Sequence, residues 1–349
     1  MKKALVALIA LAVTGALMAQ DAPSLKFSGY LNSGLEADIV GSDNATLKAQ
    51  AQDAGVPGYR MNLDVAYTNG SVGANVRLRS EKDSAYKMNY GYVWANLLGN
   101  MATVKAGKVS DGAWETGGDI GGDVGEGTGI LLQVMPLEGL NFGAGVYAVD
   151  ANDDGVTDDE VEIGDAKYTV GFAYTMADTF GMEGSLSMLA GEASQALVGL
   201  EVLAVPQLSA ALEYQADNLD DFSNTGLNTI TETVSYDFSP INVGVTAYEW
   251  ISQVDDTDIG FKVNPWVSYA YGIFTPKLGV TYVSNEEAAG KADDNYSFTI
   301  KPQVTCAVGP NASIEAAFAF TSYGDVAADA YNSGEDSKQV FYIDFLWKF

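Results

Sequence analysis

The chain closes on FYIDFLWKF, residues 341–349. Phe341, Ile343, Phe345, Trp347 and Phe349 take alternate positions, so a β-strand here has one wholly apolar face and ends on an aromatic carboxyl terminus. In water such a strand is a hazard, because its unpaired backbone groups recruit other strands. Two settings tolerate it: the apolar edge of a soluble sandwich, or a strand whose apolar face meets lipid. The rest of the sequence chooses between them.

At the other end, Lys2 and Lys3 precede an apolar run over residues 4–13 and small residues up to Ala19. That order reads as a secretory signal peptide, with a run too short to span a bilayer as a helix. Cleavage after Ala19 leaves a mature chain from Gln20, while Leu17, where a small residue is usual, keeps a cut after Ala16 open. Residues 1–19 are thus expected to be the signal and 20–349 one domain. No Cys lies at the junction, which argues against a lipoprotein, and no later run of 18 apolar residues offers a helical span. The exported chain is then periplasmic, secreted or a membrane barrel.

Only 18% of the residues are charged, yet the formal charge is −28, and losing Lys2 and Lys3 makes it more negative still. The acids cluster between apolar segments, where they keep loops hydrated, and they exclude nucleic acid as a partner. The single Cys306 rules out an internal disulfide. The absence of His removes the usual base of Ser and Cys triads, and with it the His-dependent outer-membrane phospholipases and proteases. No set of residues suggests an enzyme.

After Ala22 the chain reads as short alternating segments separated by turns. They run from 24–39, 58–68, 71–80, 86–97 and 101–109 to 311–321 and 339–349. The count is about 18 strands, with 16 as the alternative, in an all-β, closed, antiparallel transmembrane barrel. Tight turns such as Asn69-Gly70 and Ser239-Pro240 are expected on the periplasmic side with both chain ends, and the long acidic connections 40–57, 110–128, 150–165 and 322–338 on the outer side. Parity assigns faces: Met88, Tyr90, Tyr92 and Trp94 are expected toward lipid with Lys87, Asn89 and Gly91 opposite, and Ile314, Ala316, Phe318 and Phe320 toward lipid opposite Glu315. Tyr174, Tyr214, Tyr236, Phe238, Trp347 and Phe349 fall near strand ends, where aromatic girdles sit. The final strand resembles the closing strand of bacterial outer-membrane barrels. That likeness makes Phe345, Trp347 and Phe349 an assembly signal read by the barrel-insertion machinery.

The three arginines, Arg60, Arg77 and Arg79, lie within 20 residues of one another, and parity turns all three inward with Lys87 and Lys105. Two readings stand: a basic wall facing a counter-surface, or salt bridges bracing the interior. The connection 110–128 carries Asp111, Glu115, Asp119 and Asp123 among many glycines, a composition that lets a loop fold back into the barrel mouth. Residues 92–108, YVWANLLGNMATVKAGK, followed by this loop, resemble the general porins of Gram-negative outer membranes. The resemblance implies a third outer loop folded inward, its acids facing the basic wall across a constriction. It also implies a homotrimer.

Residues 150–160 place Asp150, Asn152, Asp154 and Asp158 at the spacing of a calcium loop, although Val161 stands where the bidentate Glu belongs. Calcium binding and a simply hydrated loop both stay open, and no other cofactor is expected. The function expected is passive diffusion of small hydrophilic solutes and ions across a bacterial outer membrane, in contact with its lipid. The alternative is a plugged barrel serving as a surface adhesin or structural anchor.

Overall fold

The structure, a computed structural model, describes residues 23–40, 44–51, 56–81, 86–109, 127–148, 166–189, 192–219, 226–252, 259–284, 296–324, 332 and 335–349. Twenty strands lie among them: β1 (Ser24–Val40), β2 (Asn44–Ala51), β3 (Val56–Pro57), β4 (Tyr59–Asn69), β5 (Val72–Glu81), β6 (Lys87–Leu97), β7 (Ala102–Val109), β8 (Gly127–Leu137), β9 (Leu140–Ala148) and β10 (Lys167–Met176), then β11 (Phe180–Leu189), β12 (Glu192–Val202), β13 (Leu208–Asp217), β14 (Leu227–Asp237), β15 (Ile241–Ser252), β16 (Ile259–Tyr269), β17 (Phe274–Ser284), β18 (Tyr296–Gly309), β19 (Ala312–Tyr323) and β20 (Ser337–Lys348). From β4 onward each strand pairs antiparallel with the next. β1 pairs with β4 from Ser24↔Thr68 to Ser33↔Tyr59 and with β20 from Tyr30↔Lys348 to Val40↔Lys338. Eighteen strands therefore close a barrel without a free edge, and β2 and β3 are appended to it.

The connection 40–57, expected as plain loop, contains that appended hairpin. Pairing of β1 with β4 stops at Ser33, which leaves the rest of its 17 residues without a partner on that side. β2 supplies one, from Leu35↔Ala49 to Val40↔Asn44, and so satisfies backbone groups that β4 does not reach. The sequence NATLKAQA has one β-branched residue, Thr46, and no aromatic, a weak announcement of a strand.

Both described chain ends lie at the end of the barrel that carries the short turns. There Asn69 pairs with Val72 around Gly70-Ser71, and Gly70 takes φ +60, the left-handed geometry a two-residue hairpin needs at its first turn position. Phe349 continues the closing seam beyond β20, exchanging backbone hydrogen bonds of 2.9 and 3.0 Å with Gly29.

Burial is inverted relative to a water-soluble fold. Phe27 is 61% exposed and Val198 57%, whereas Asn32 and Glu183 are wholly buried. Apolar side chains facing outward and polar ones facing inward suit a lipid solvent, where each outward Leu or Phe contributes about 1.5–3 kcal/mol. Outward aromatics pair near both rims. At the turn end stand Tyr174 with Phe180, Tyr236 with Phe238, Tyr269 with Tyr271, and Trp347 with Phe349; near the loop end stand Phe261 with Tyr282, and Tyr282 with Tyr296. On β17, Tyr282 and Phe274 are eight residues apart. At about 3.4 Å per residue and a tilt near 40° this puts the girdles roughly 20 Å apart along the axis, close to the apolar band of an outer-membrane barrel.

One face assignment is overturned. The register of β5 against β6 shifts between Arg77↔Tyr90 and Leu78↔Met88, so Asn89 is a bulge that reverses parity along the strand. Met88 faces lipid and Lys87 the lumen, as expected. Below the bulge Tyr90, Tyr92 and Trp94 turn inward, and Val93, 59% exposed, faces out.

Candidate functional site in the lumen

Strand pairing carries the inward face around the ring, and its charged residues fall into sectors. The first spans β4 to β7 and holds Arg60, Arg77, Arg79, Lys87 and Lys105. Arg77 grips Asp64 with two bonds, Nε to Oδ1 at 2.6 Å and Nη2 to Oδ2 at 3.1 Å. Its guanidinium carbon lies 5.0 Å from the centroid of Tyr90, whose hydroxyl donates to Asp64 Oδ1 at 3.1 Å. Arg60 Nε stands 2.7 Å from Glu81 Oε1; Arg79 Nε stands 3.7 Å from the same oxygen and donates to Asn62 Oδ1 at 3.1 Å. Lys105 Nζ lies 5.7 Å from the Tyr92 centroid. The five bases thus share one wall, where Asp64 and Glu81 offset part of their charge.

The second sector is acidic. Glu183 on β11, Glu201 on β12, and Glu213 and Asp217 on β13 face inward on neighbouring strands, joined through Glu183↔Gly199, Gly199↔Glu213 and Gln195↔Asp217. Eight strand steps separate β5 from β13 in a ring of eighteen, so the acidic and arginine sectors face each other across the lumen. The third sector is a second basic wall that sequence reasoning missed: Lys262 on β16, Lys277 on β17 and Lys301 on β18. Each lies over an aromatic ring, Tyr248 at 5.4 Å, Trp266 at 4.8 Å and Tyr342 at 5.0 Å respectively. A sequence signal existed: residues 168–261 contain no Lys or Arg at all, which makes an uninterrupted arc of wall free of bases.

Exposure also divides the lumen. Six inward side chains from β8 to β14, Leu131, Tyr147, Thr169, Glu183, Glu213 and Thr231, are at most 1% exposed. Inward residues of β15 to β18, such as Tyr248, Trp250, Lys262, Trp266 and Lys301, are half-buried, as are the three arginines. The accessible path therefore runs off-centre, along β15–β18 and β4–β6. Val109, Leu131 and Tyr147, with Tyr92 against them, form an apolar cluster on the closed side.

Of the expected loop acids, Asp111, Glu115, Asp119 and Asp123 lie outside the described residues, and so do Asp150, Asn152, Asp154 and Asp158. Among the described residues no group of three or more His, Cys, Asp or Glu is placed to hold a metal. Phe345, Trp347 and Phe349 face outward on the closing seam, and Cys306 pairs with Ile314 and Phe274 on the outer face.

A closed barrel with apolar exterior, two girdles and a charged, partly open lumen defines a transmembrane channel of the outer-membrane type. The sequence matches the model of the Gram-negative porin family over residues 4–342, and the chain belongs to that family. Its place is the bacterial outer membrane. Among curated proteins none matches the chain significantly. The fold is similar to OpdQ of Pseudomonas aeruginosa, with TM-score 0.62 at 12% identity over 93% of this chain and 99% of that one. It is also similar to OccK3 (OpdO) of the same organism, with TM-score 0.60 at 12% identity over 97% and 99%. A loop L8 deletion mutant of OmpT, an outer membrane protein of Vibrio cholerae, aligns with TM-score 0.51 at 14% identity over 94% and 100%.

Proposed function

We propose that this porin passes small hydrophilic solutes and ions by diffusion, and that its selectivity arises where the basic and acidic sectors act on the same solute. The observation that carries this reading is the segregation of charge: acids on β11–β13 face arginines on β4 and β5, with the accessible path beside them. Eighteen strands at about 4.8 Å spacing and 40° tilt enclose a lumen roughly 35 Å across between backbones, while exposed charges are screened beyond about 8 Å. Opposed walls therefore need a narrowing between them. The connection 110–128 is rooted beside the apolar cluster at Val109 and Gly127, and Trp114 and Ile120 within it suit such a surface. In this reading it bends inward, and Asp111, Glu115, Asp119 and Asp123 oppose Arg60, Arg77, Arg79, Lys87 and Lys105.

Further parts of the proposal are a signal peptide over 1–19, assembly as a homotrimer, and calcium at Asp150, Asn152, Asp154 and Asp158. Chelator-sensitive calcorimetric titration weakened by Asp154→Ala tests the last, and its absence at millimolar calcium removes it. Phe345, Trp347 and Phe349 serve as the assembly signal, so deleting Phe349, which also breaks two backbone bonds of the seam, lowers the outer-membrane level on fractionation; an unchanged level contradicts this. The buried inward face of β8–β14 is what favours a plugged anchor, and the half-buried face of β15–β18 weighs against it. Steady open steps in a planar bilayer favour the pore; a silent bilayer with folded protein favours the anchor.

A further inference from the structure

We infer that the inner face of β15–β17 is a binding track for the rings of neutral sugars, an inference that rests on the pore reading above. Trp250 and Tyr248 follow one another along β15 with centroids 6.2 Å apart and planes within 8°, so their flat surfaces run in one direction down the wall. Farther down the same face stand Thr246 and Gly244, and Trp266 of β16 lies across that glycine. A Cβ at position 244 would come within 2.6 Å of Trp266 Cζ2, so the indole fills the space that a side chain would take. The three rings thus extend from the level of the upper girdle to mid-barrel.

Uncharged hydrogen-bonding groups lie between the rings. Thr246 pairs with Asn264 across the strands, and Thr281 of β17 donates to Asn264 Oδ1 at 3.3 Å. Lys262 and Lys277 lie over the Tyr248 and Trp266 rings on flexible stems, free of any ion pair among the described residues, so that a solute displaces them readily. This alternation fits a pyranose, whose faces present C–H groups and whose rim presents hydroxyls. The C–H face packs on the electron-rich face of an aromatic ring, and the rim hydroxyls exchange hydrogen bonds with amide, hydroxyl and ammonium groups. A bare hydrated ion gains little from such rings. Several weak contacts in series also meet the requirement of conduction, strong enough to admit the solute and weak enough to release it.

The opposite wall lacks this surface although it is rich in aromatics. Tyr90 lies under Arg77, which two bonds to Asp64 hold in place, and is itself bonded to Asp64, and the Tyr92 hydroxyl accepts from Asn75 Nδ2 at 3.1 Å. Trp94, which lies over Gly73 on that wall, is the natural control.

The test is current block in planar bilayers holding the full-length mature protein, with maltotriose and gluconate as probes. Maltotriose is expected to interrupt the open current saturably at millimolar concentration. Its half-blocking concentration rises about tenfold in Trp266→Ala and in the Tyr248→Ala, Trp250→Ala double variant; it is unchanged in Trp94→Ala and restored in Trp266→Phe. Normal conduction without block by maltotriose overturns the inference and leaves the pore standing. So does block that is equal in Trp266→Ala, or block by gluconate alone, which assigns the wall to anions. A folded protein that never conducts removes the pore reading, and this inference with it.

Discussion

On β4 and β5 every arginine is tied to a carboxylate, whereas on β16–β18 every lysine lies across an aromatic ring and, among the described residues, makes no ion pair. The difference follows from the head groups. A guanidinium fork matches a carboxylate, so Arg77 and Asp64 form a stiff unit whose field largely cancels a short distance away. An ammonium over a ring keeps its charge and a flexible stem. The number of bases on a wall is therefore a poor guide to the field it projects, because the partner decides. The arginine cluster, conspicuous in sequence, braces the interior as well as charging it, while the scattered lysines are better placed to reach a passing solute.

The contrast can be broken most directly by emptying the lysine wall. Lys262→Gln, Lys277→Gln and Lys301→Gln together should raise the cation-to-anion permeability ratio about threefold, read from reversal potentials. Arg77→Ala with Arg79→Ala should shift the ratio the same way by less, because two positive charges leave instead of three, and should raise conductance by removing two bulky side chains. A larger shift from the arginines would reverse the account of the two walls. Stability should rank the other way. Asp64→Ala strands Arg77 and should cost about 1–3 kcal/mol in urea unfolding of the micelle-held protein, the lower end reflecting the partial exposure of the pair. Lys277→Gln should change stability by less than about 0.5 kcal/mol.

Lys48, on the appended hairpin, is a lysine of the opposite kind. It stands 2.8 Å from Glu36 and 3.0 Å from Asp38. Hydrogen bonds to Glu36 first and then Asp38 raise its pKa above the ordinary lysine value. A raised lysine pKa gives stability that is fully present below the unfolded value and lost only as pH rises through the folded one. Docking of the hairpin should therefore be constant through neutral pH and loosen in strong alkali. Lys48→Met should increase proteolysis of residues 41–58 without moving the reversal potential; a moved potential would tie the hairpin to the path.

The strand series was legible because lipid on one side and water on the other enforce strict alternation. The expected 58–68 forms at Tyr59–Asn69 and 339–349 at Ser337–Lys348. The errors have local causes. A one-residue bulge at Asn89 is invisible to a parity rule, since Tyr90, Tyr92 and Trp94 are amphipathic enough for either face. β2 forms because β1 outruns β4, a property of the register that NATLKAQA does not advertise. The arginine sector was readable because its residues are adjacent in sequence. The lysine wall was not, because Lys262, Lys277 and Lys301 come together only through strand pairing, and its clearest sign was negative, the base-free stretch 168–261 that precedes it.

The whole chain carries −28, yet the bases and acids that face the lumen from the described strands come close to balance. Much of the excess acid belongs to the sequence of the connections between strands, and exposed charge is screened beyond about 8 Å. The reversal potential of single channels in a salt gradient separates these two scales. Control by the lumen wall predicts steady open steps and a modest cation preference, well short of the Nernst limit. A near-ideal cation potential, or anion selectivity, would contradict it.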